Sequence, residues 1–199
     1  MQVSMNPLSN LSKYEVMLAS NSPRRKQLLA DLGIEFATCA ITNIDESYPA
    51  DTPVEDVALV VANVKADAYR SLITSNQLII TADTVVICGN DVLGKPLDRD
   101  EAVKMLRRLS GATHKVVTGV TISSADRRVA FKAVTEVDFA ELSDDEIGFY
   151  VDTFRPLDKA GAYGIQEWIG CAGIRGIRGS FYNVMGLPLH RLYTELRLF

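Results

Sequence analysis

Leu18-Ala19-Ser20-Asn21-Ser22-Pro23-Arg24-Arg25-Lys26-Gln27-Leu28-Leu29 reads as a strand, a short polar loop and a helix whose first turn carries three cations. The apolar run Val16 to Ala19 supplies the strand. Ser22 is a good N-cap, and Pro23 suits the first helical position because its missing N–H would be unpaired there anyway. Leu28, Leu29 and Leu32 form a buried stripe, and Gly33 ends the helix. Basic side chains at a helix N-terminus oppose the positive end of the helix dipole at about 0.3–1 kcal/mol each. Two readings stand at this point. One is a phosphate cradle, with arginine forks joined by Ser20, Asn21, Ser22 and backbone N–H groups; the other is a basic first turn left in solvent.

Outward from this stretch, Ile34 to Ala40 reads as a second strand and Ile44-Asp45-Glu46-Ser47 as an acidic turn. Thr52-Pro53-Val54-Glu55 matches a capping box with proline at the first helical position. Val57, Val61, Val64 and Ala68 give the following helix an apolar face. Lys65 lies on its flank, able to reach a neighbouring cleft or to snorkel into solvent. The run Leu78 to Ile87 is the most strand-like of the chain, and its continuous hydrophobicity predicts a central strand buried on both faces. Asp83 interrupts it, and a buried carboxylate demands a cation, a metal or a substrate proton.

Cys88 to Asp91 makes a turn, Val92-Leu93 begins a return strand, and Asp98 caps a helix with Ala102, Met105, Leu106 and Leu109 inside. Lys115–Ile122 and Val129–Leu142 read as strands, and Ser143-Asp144-Asp145-Glu146 is a further capping box. Arg155 to Pro188 is rich in glycine and poor in periodicity, and loops of that length are usually functional. Pro188 opens a final helix. Alternating strands and helices predict an α/β fold, a mixed twisted sheet flanked by helices. Residues 1–13 are expected to be a flexible N-terminal extension and 14–199 one domain.

The chain has 199 residues, 47% hydrophobic and 23% charged, with net charge −4. That balance disfavours a broad nucleic-acid face and leaves a DNA-binding regulator the weakest reading. No apolar run approaches the roughly 18 residues of a membrane span, and Met1 to Lys13 lacks the pattern of a signal peptide. Cys39, Cys88 and Cys171 share no metal-type spacing and are expected as small buried hydrophobes in a reducing cytoplasm. Monomer and homodimer stay open.

Only two histidines, His114 and His190, are present, neither beside a plausible nucleophile, so a serine or cysteine triad and a histidine-rich zinc site are both disfavoured. Gly94-Lys95-Pro96 is not a phosphate loop. What remains is a set of carboxylates and cations: Asp83 and Glu46 as acids or metal ligands, and Arg24, Arg25, Lys65, Lys95 and Lys159 as phosphate ligands. Carboxylates holding a divalent ion such as Mg²⁺ or Mn²⁺ among lysines and arginines suit phosphoanhydride hydrolysis, one carboxylate positioning or deprotonating the water.

From Val16 onward the chain also resembles the Maf-type nucleoside triphosphate pyrophosphatases. The resemblance rests on five stretches in family order: Leu18 to Arg25, Thr81 to Val86, Gly94-Lys95-Pro96, Asp158 to Gln166, and Gly179 to Pro188. It implies hydrolysis of a nucleoside triphosphate between the α and β phosphates with a divalent metal. It also implies a fold like that of the inosine triphosphate pyrophosphatases, with two lobes and a central cleft. By resemblance Asp83 is the proton acceptor, Arg24, Thr84 and Gln166 set substrate choice, and Ser20, Arg25, Glu46, Lys65 and Lys95 surround phosphates and metal. The pairing of Ala82-Asp83-Thr84 with Lys159 to Gln166 looks like the dTTP and UTP branch rather than the 7-methyl-GTP branch. Gln166 offers a donor and an acceptor to the O4 and N3–H edge of uracil or thymine. A non-catalytic nucleotide-binding regulator of cell division is the competing reading, against which the intact Asp83, Glu46 and Lys95 argue. Glu167 departs from the glycine expected after the glutamine, and Trp168 is expected to cover the core rather than to stack on a base.

Overall fold

The computed structural model describes residues 7–199. One seven-stranded sheet holds the molecule together, with strands β1 (Glu15–Ala19), β2 (Ala37–Cys39), β3 (Gln77–Cys88), β4 (Asp91–Leu93), β5 (Thr113–Ser123), β6 (Arg128–Phe139) and β7 (Ile174–Arg178). The order is β2-β1-β3-β5-β6-β7, with β4 paired to β3 beyond the end of β1. β1 runs parallel to β2 and β3, and the remaining pairs are antiparallel, so the sheet is mixed. Helices α1 (Pro23–Asp31), α2 (Val57–Tyr69), α3 (Arg99–Leu109), α4 (Asp144–Phe154), α5 (Trp168–Ala172), α6 (Phe181–Met185) and α7 (Leu189–Arg197) flank it.

β3 is the central strand that its hydrophobic run predicts, with both faces mostly buried. On one face it carries Leu78, Ile80 and Ala82 into a core shared with α1 and α7, while Val86 joins a second core built on α3, α4 and the segment from Ala162 to Ile169. These two cores are the two lobes, and Met185 packs against both. On the other face, Val85 and Ile87 pack on α2. α2 lies so close to β5 that a Cβ on Gly119 would overlap the Ala58 carbonyl oxygen and the Leu59 nitrogen, which is why glycine stands there.

β1 pairs with β3 only as far as Leu18↔Ile80, and β4 takes up pairing only at Val86. Between these points, among the described residues, one edge of β3 has no strand beside it. Ala82, Asp83 and Thr84 sit in this gap, and successive side chains of a strand alternate faces, so Asp83 points to the α2 side and Thr84 to the opposite side.

The caps on Ser22, Asp98 and Ser143 form as their residue types predict, each side chain accepting from the third residue on. Four expectations are corrected. Within the expected flexible extension 1–13, residues 1–6 lie outside the described residues. Ser9–Lys13 forms a 3₁₀ turn that buries Leu8 and Leu11, and Asn10 donates to the Leu196 carbonyl at 2.8 Å. The capping box at Thr52 does not start a helix. Residues 54–56 make a turn, α2 begins at Val57, and Glu55 pairs with Lys115 at 2.6 Å. The stretch 155–188 is not a loop throughout: it contains α5, α6 and the edge strand β7, elements of only five residues each, too short to show a period. The cysteines are not buried; Cys39 and Cys88 are half-buried, Cys171 is exposed, and all three are free. Among the described residues, no helix is long and apolar enough to cross a membrane.

Candidate active site

The gap in the sheet opens into two joined compartments, about 420 and 120 Å³ in volume. Ser22, Arg24, Arg25, Lys65, Lys95 and Asp158 line both. The larger adds Ser20, Asn21, Glu46 and Tyr69; the smaller adds Asp83, Thr84, Lys159, Tyr163, Gln166 and Gly186. Every residue singled out from the sequence for catalysis, substrate or metal therefore lies on these walls.

Lys65 settles its own alternatives by reaching inward. Its Nζ stands 2.8 Å from Asp83 Oδ1 and 3.2 Å from Glu46, and its side chain is only 14% exposed. Asp83, 18% exposed, thus has the cation that its place in an apolar strand demands. Its Oδ2 has no hydrogen-bond partner among the described residues. Glu46 is more exposed and reaches the same ammonium from the loop after β2. Two carboxylates on one lysine do not make a closed metal cage, and among the described residues no three acidic, histidine or cysteine side chains are placed to hold a metal ion together. The pair fits a hard ion such as Mg²⁺, which is commonly held by one or two carboxylates and takes its other oxygens from water and phosphates; it does not fit structural zinc.

The two arginines of the opening stretch divide. Arg24 keeps to the cleft, pairing with Asp158 at 2.8 Å across the mouth between the lobes. Arg25, expected as a phosphate fork, is largely spent inside the protein. Its Nη1 donates to the Ala82 carbonyl, its Nε to the Gly186 carbonyl and its Nη2 to Thr84 Oγ1, at 2.9, 2.9 and 3.0 Å. The reason is the gap itself: where β1 ends, β3 leaves a carbonyl that a strand would otherwise satisfy, and Arg25 satisfies it. Burial lowers the Arg25 guanidinium from its ordinary value, and the nearby Asp83 charge opposes that shift.

Lys159 is corrected in the same way. It is 8% exposed and held between Asp158 at 2.7 Å and Glu167 at 3.1 Å. Glu167 in turn bonds the Tyr150 hydroxyl, which accepts from the Gly164 N–H at 3.0 Å. Burial raises the Asp158 carboxyl, but Lys159 and Arg24 outweigh it and hold the group below its ordinary value. This chain ties the arginine of one lobe to the loop that carries Gln166. Asp158 and Glu167 were not identified as functional from the sequence; the only signal was their place beside Lys159 and Gln166. Gln166 is exposed on the smaller compartment, and its carboxamide and the Lys95 ammonium make no hydrogen bond among the described residues. Trp168 packs edge-on against Phe149 with centroids 5.1 Å apart and does not line either compartment, as expected of a core cover.

His114 lies behind the smaller compartment. It is 2% exposed, shares a hydrogen bond of 2.8 Å between Nε2 and the Tyr163 hydroxyl, and among the described residues its Nδ1 has no partner. Burial pushes its pKa down to about 4.

A family model described as Maf-like protein matches residues 15–199. A Phocaeicola vulgatus protein named dTTP/UTP pyrophosphatase is 54% identical over 190 residues, covering 96% of this chain and 98% of its own. A Porphyromonas gingivalis protein of the same name is 55% identical over 194 residues, with the same coverage. One from Bacteroides thetaiotaomicron, also of that name, is 50% identical over 190 residues, again with 96% and 98% covered. A solved HAM1 protein from Coxiella burnetii covers 94% of this chain and 100% of its own at 16% identity and a TM-score of 0.47; so distant a likeness carries no argument.

Proposed function

The chain belongs to the Maf-like family, and we propose that it hydrolyses dTTP and UTP, with base-modified pyrimidine relatives, to the monophosphate and pyrophosphate. The observation that carries this reading is Asp83, fixed by Lys65 through Oδ1 with Oδ2 uncommitted, in the wall of the smaller compartment, which shares Arg24, Lys65 and Lys95 with the larger one. Near relatives named for this activity support it. The triphosphate occupies the larger compartment, where Arg24, Lys65 and Lys95 offset its charge and Ser20 to Ser22 offer hydroxyl, amide and N–H donors. The base enters the smaller one, beside Thr84 and Gln166.

In the reaction Asp83 Oδ2 takes a proton from the attacking water. The bond between the α-phosphorus side and the β-phosphate side breaks, the water oxygen ends on one product, and the bridging oxygen leaves on the other. Lys65 keeps the acceptor carboxylate aimed. Glu46 and Asp83 would hold a divalent metal such as Mg²⁺ or Mn²⁺, which when bound would offset charge on the phosphates. The free cysteines suit a reducing compartment, and we place the protein in the cytoplasm.

The test is a panel of nucleoside triphosphates, 7-methyl-GTP included, with Mg²⁺ or Mn²⁺. dTTP and UTP should release pyrophosphate fastest. Orthophosphate release would overturn the bond assignment, and a preference for 7-methyl-GTP would overturn the branch.

A further inference from the structure

Thr84 and Thr118 stand opposite one another in the register of β3 and β5, so their side chains share a face, and their hydroxyl oxygens are 3.0 Å apart. Thr118 is fully buried, and its oxygen also lies 3.0 Å from the Asn183 carbonyl oxygen. A carbonyl has no proton to give, so the single hydroxyl proton of Thr118 goes to Asn183; otherwise two sets of lone pairs would face each other at hydrogen-bond distance. Thr118 can then only accept from Thr84. From the other side Arg25 Nη2 donates to Thr84 Oγ1 at 3.0 Å, and a guanidinium cannot accept. The Thr84 hydroxyl has thus spent its proton and one lone pair inside the protein, and one lone pair remains for the compartment.

We propose that Thr118 is a specificity-positioning residue. By taking the Thr84 proton it makes the Thr84 oxygen a pure acceptor toward the substrate. Resting on the nucleotide reading above, this means the compartment takes a pyrimidine with a ring N–H, as uracil and thymine have, and refuses one with a bare ring nitrogen there, as cytosine has. Uracil and cytosine share nearly the same outline, so the selection is by proton position rather than by size. A site wired to receive a donor rejects an acceptor because two lone pairs meet without water to relieve them.

The experiment compares kcat/KM for UTP and CTP, and separately the calorimetric affinities for UMP and CMP, in the wild type, Thr118→Val and Thr118→Ser. Thr118→Val frees the Thr84 proton, so both UTP:CTP and UMP:CMP ratios should fall about tenfold or more while kcat on UTP changes little; each tenfold corresponds to about 1.4 kcal/mol. Thr118→Ser keeps the acceptor and should keep both ratios. Unchanged ratios in Thr118→Val, or equal losses in Val and Ser, overturn the proposal. If Thr118→Val does not fold, Thr118→Cys, a weak acceptor, reads the same ratios. Wild-type protein that releases no pyrophosphate overturns the hydrolytic reading instead, and the monophosphate affinities still decide the role of Thr118.

Discussion

The two faces of β3 at the gap differ in kind. On the α2 face the cleft is built from full charges, with Asp83 and Glu46 meeting Lys65. On the opposite face it turns on hydroxyl groups whose hydrogen-bond directions are set, Thr84 and Thr118 with the Asn183 carbonyl behind them and the Arg25 guanidinium donating from the side. Charge acts over several ångströms and tolerates modest displacement, whereas a hydrogen bond weakens steeply with angle and distance. Close packing holds the second face in place as well. A Cβ on Gly161, whose φ is +67°, would stand 2.8 Å from a Val86 methyl, and one on Gly164 would stand 2.9 Å from the Glu167 carboxyl carbon. A charged wall suits a phosphate chain that must be held, attacked and released; a wall of fixed hydrogen-bond direction suits a base that must be recognised.

Four perturbations would break or sharpen this contrast. The largest effect is expected of Asp83→Asn, which keeps shape but cannot take a proton. Turnover should fall about 10³-fold with nucleotide affinity nearly unchanged, by pyrophosphate release and calorimetry. Retention of full turnover would leave Asp83 a structural partner of Lys65.

Acid should act on the Thr84 face through the buried His114. Below pH 6.5 an unfolded chain protonates His114, while the folded protein resists until about pH 4. Stability from this ring is therefore complete above pH 6.5 and falls as the pH drops toward 4, by on the order of 3 kcal/mol. Denaturant titrations across that range should show the loss, and His114→Phe should flatten it.

Gly119→Ala presses on the other face, pushing α2 away from β5 at a cost of about 1–3 kcal/mol. Because Lys65 rides on α2, turnover should fall with stability while the UTP:CTP ratio stays fixed. A changed ratio would show that the two faces are mechanically coupled.

Asp158→Asn is expected to give the smallest change. Freed from its partner, Arg24 should hold phosphate more tightly, and inhibition by pyrophosphate should strengthen about threefold, since a partly exposed pair contributes roughly 1 kcal/mol or less. Weaker pyrophosphate inhibition would mean that Asp158 aims Arg24 rather than competing for it.

Much of this molecule was legible before any tertiary contact. The hydrophobic run of β3, the proline after Ser22 and the caps at Asp98 and Ser143 are local signals, and each forms its expected element. Asp83 stood out because a carboxylate inside an apolar strand is costly unless partnered. The box at Thr52 misled because Pro53 and Glu55 fit a turn equally well, and Lys115 on β5 claims the glutamate. Leu8 and Leu11 looked like tail residues because the groove they fill is made by β1 and α7, from the two ends of the chain.

Residue type and spacing alone determined the sheet's central strand, the helix starts and the chemical inventory of the cleft, since those depend on neighbours within a few positions. Only the tertiary structure decided how Arg24 and Arg25 divide, Arg24 facing the cleft and Arg25 bracing the gap in the sheet. It also decided which way the Thr84 proton points. Both depend on carbonyls brought in from remote segments, Gly186 for Arg25 and Asn183 for Thr118. A hydrogen bond has a direction only once both its ends are in place.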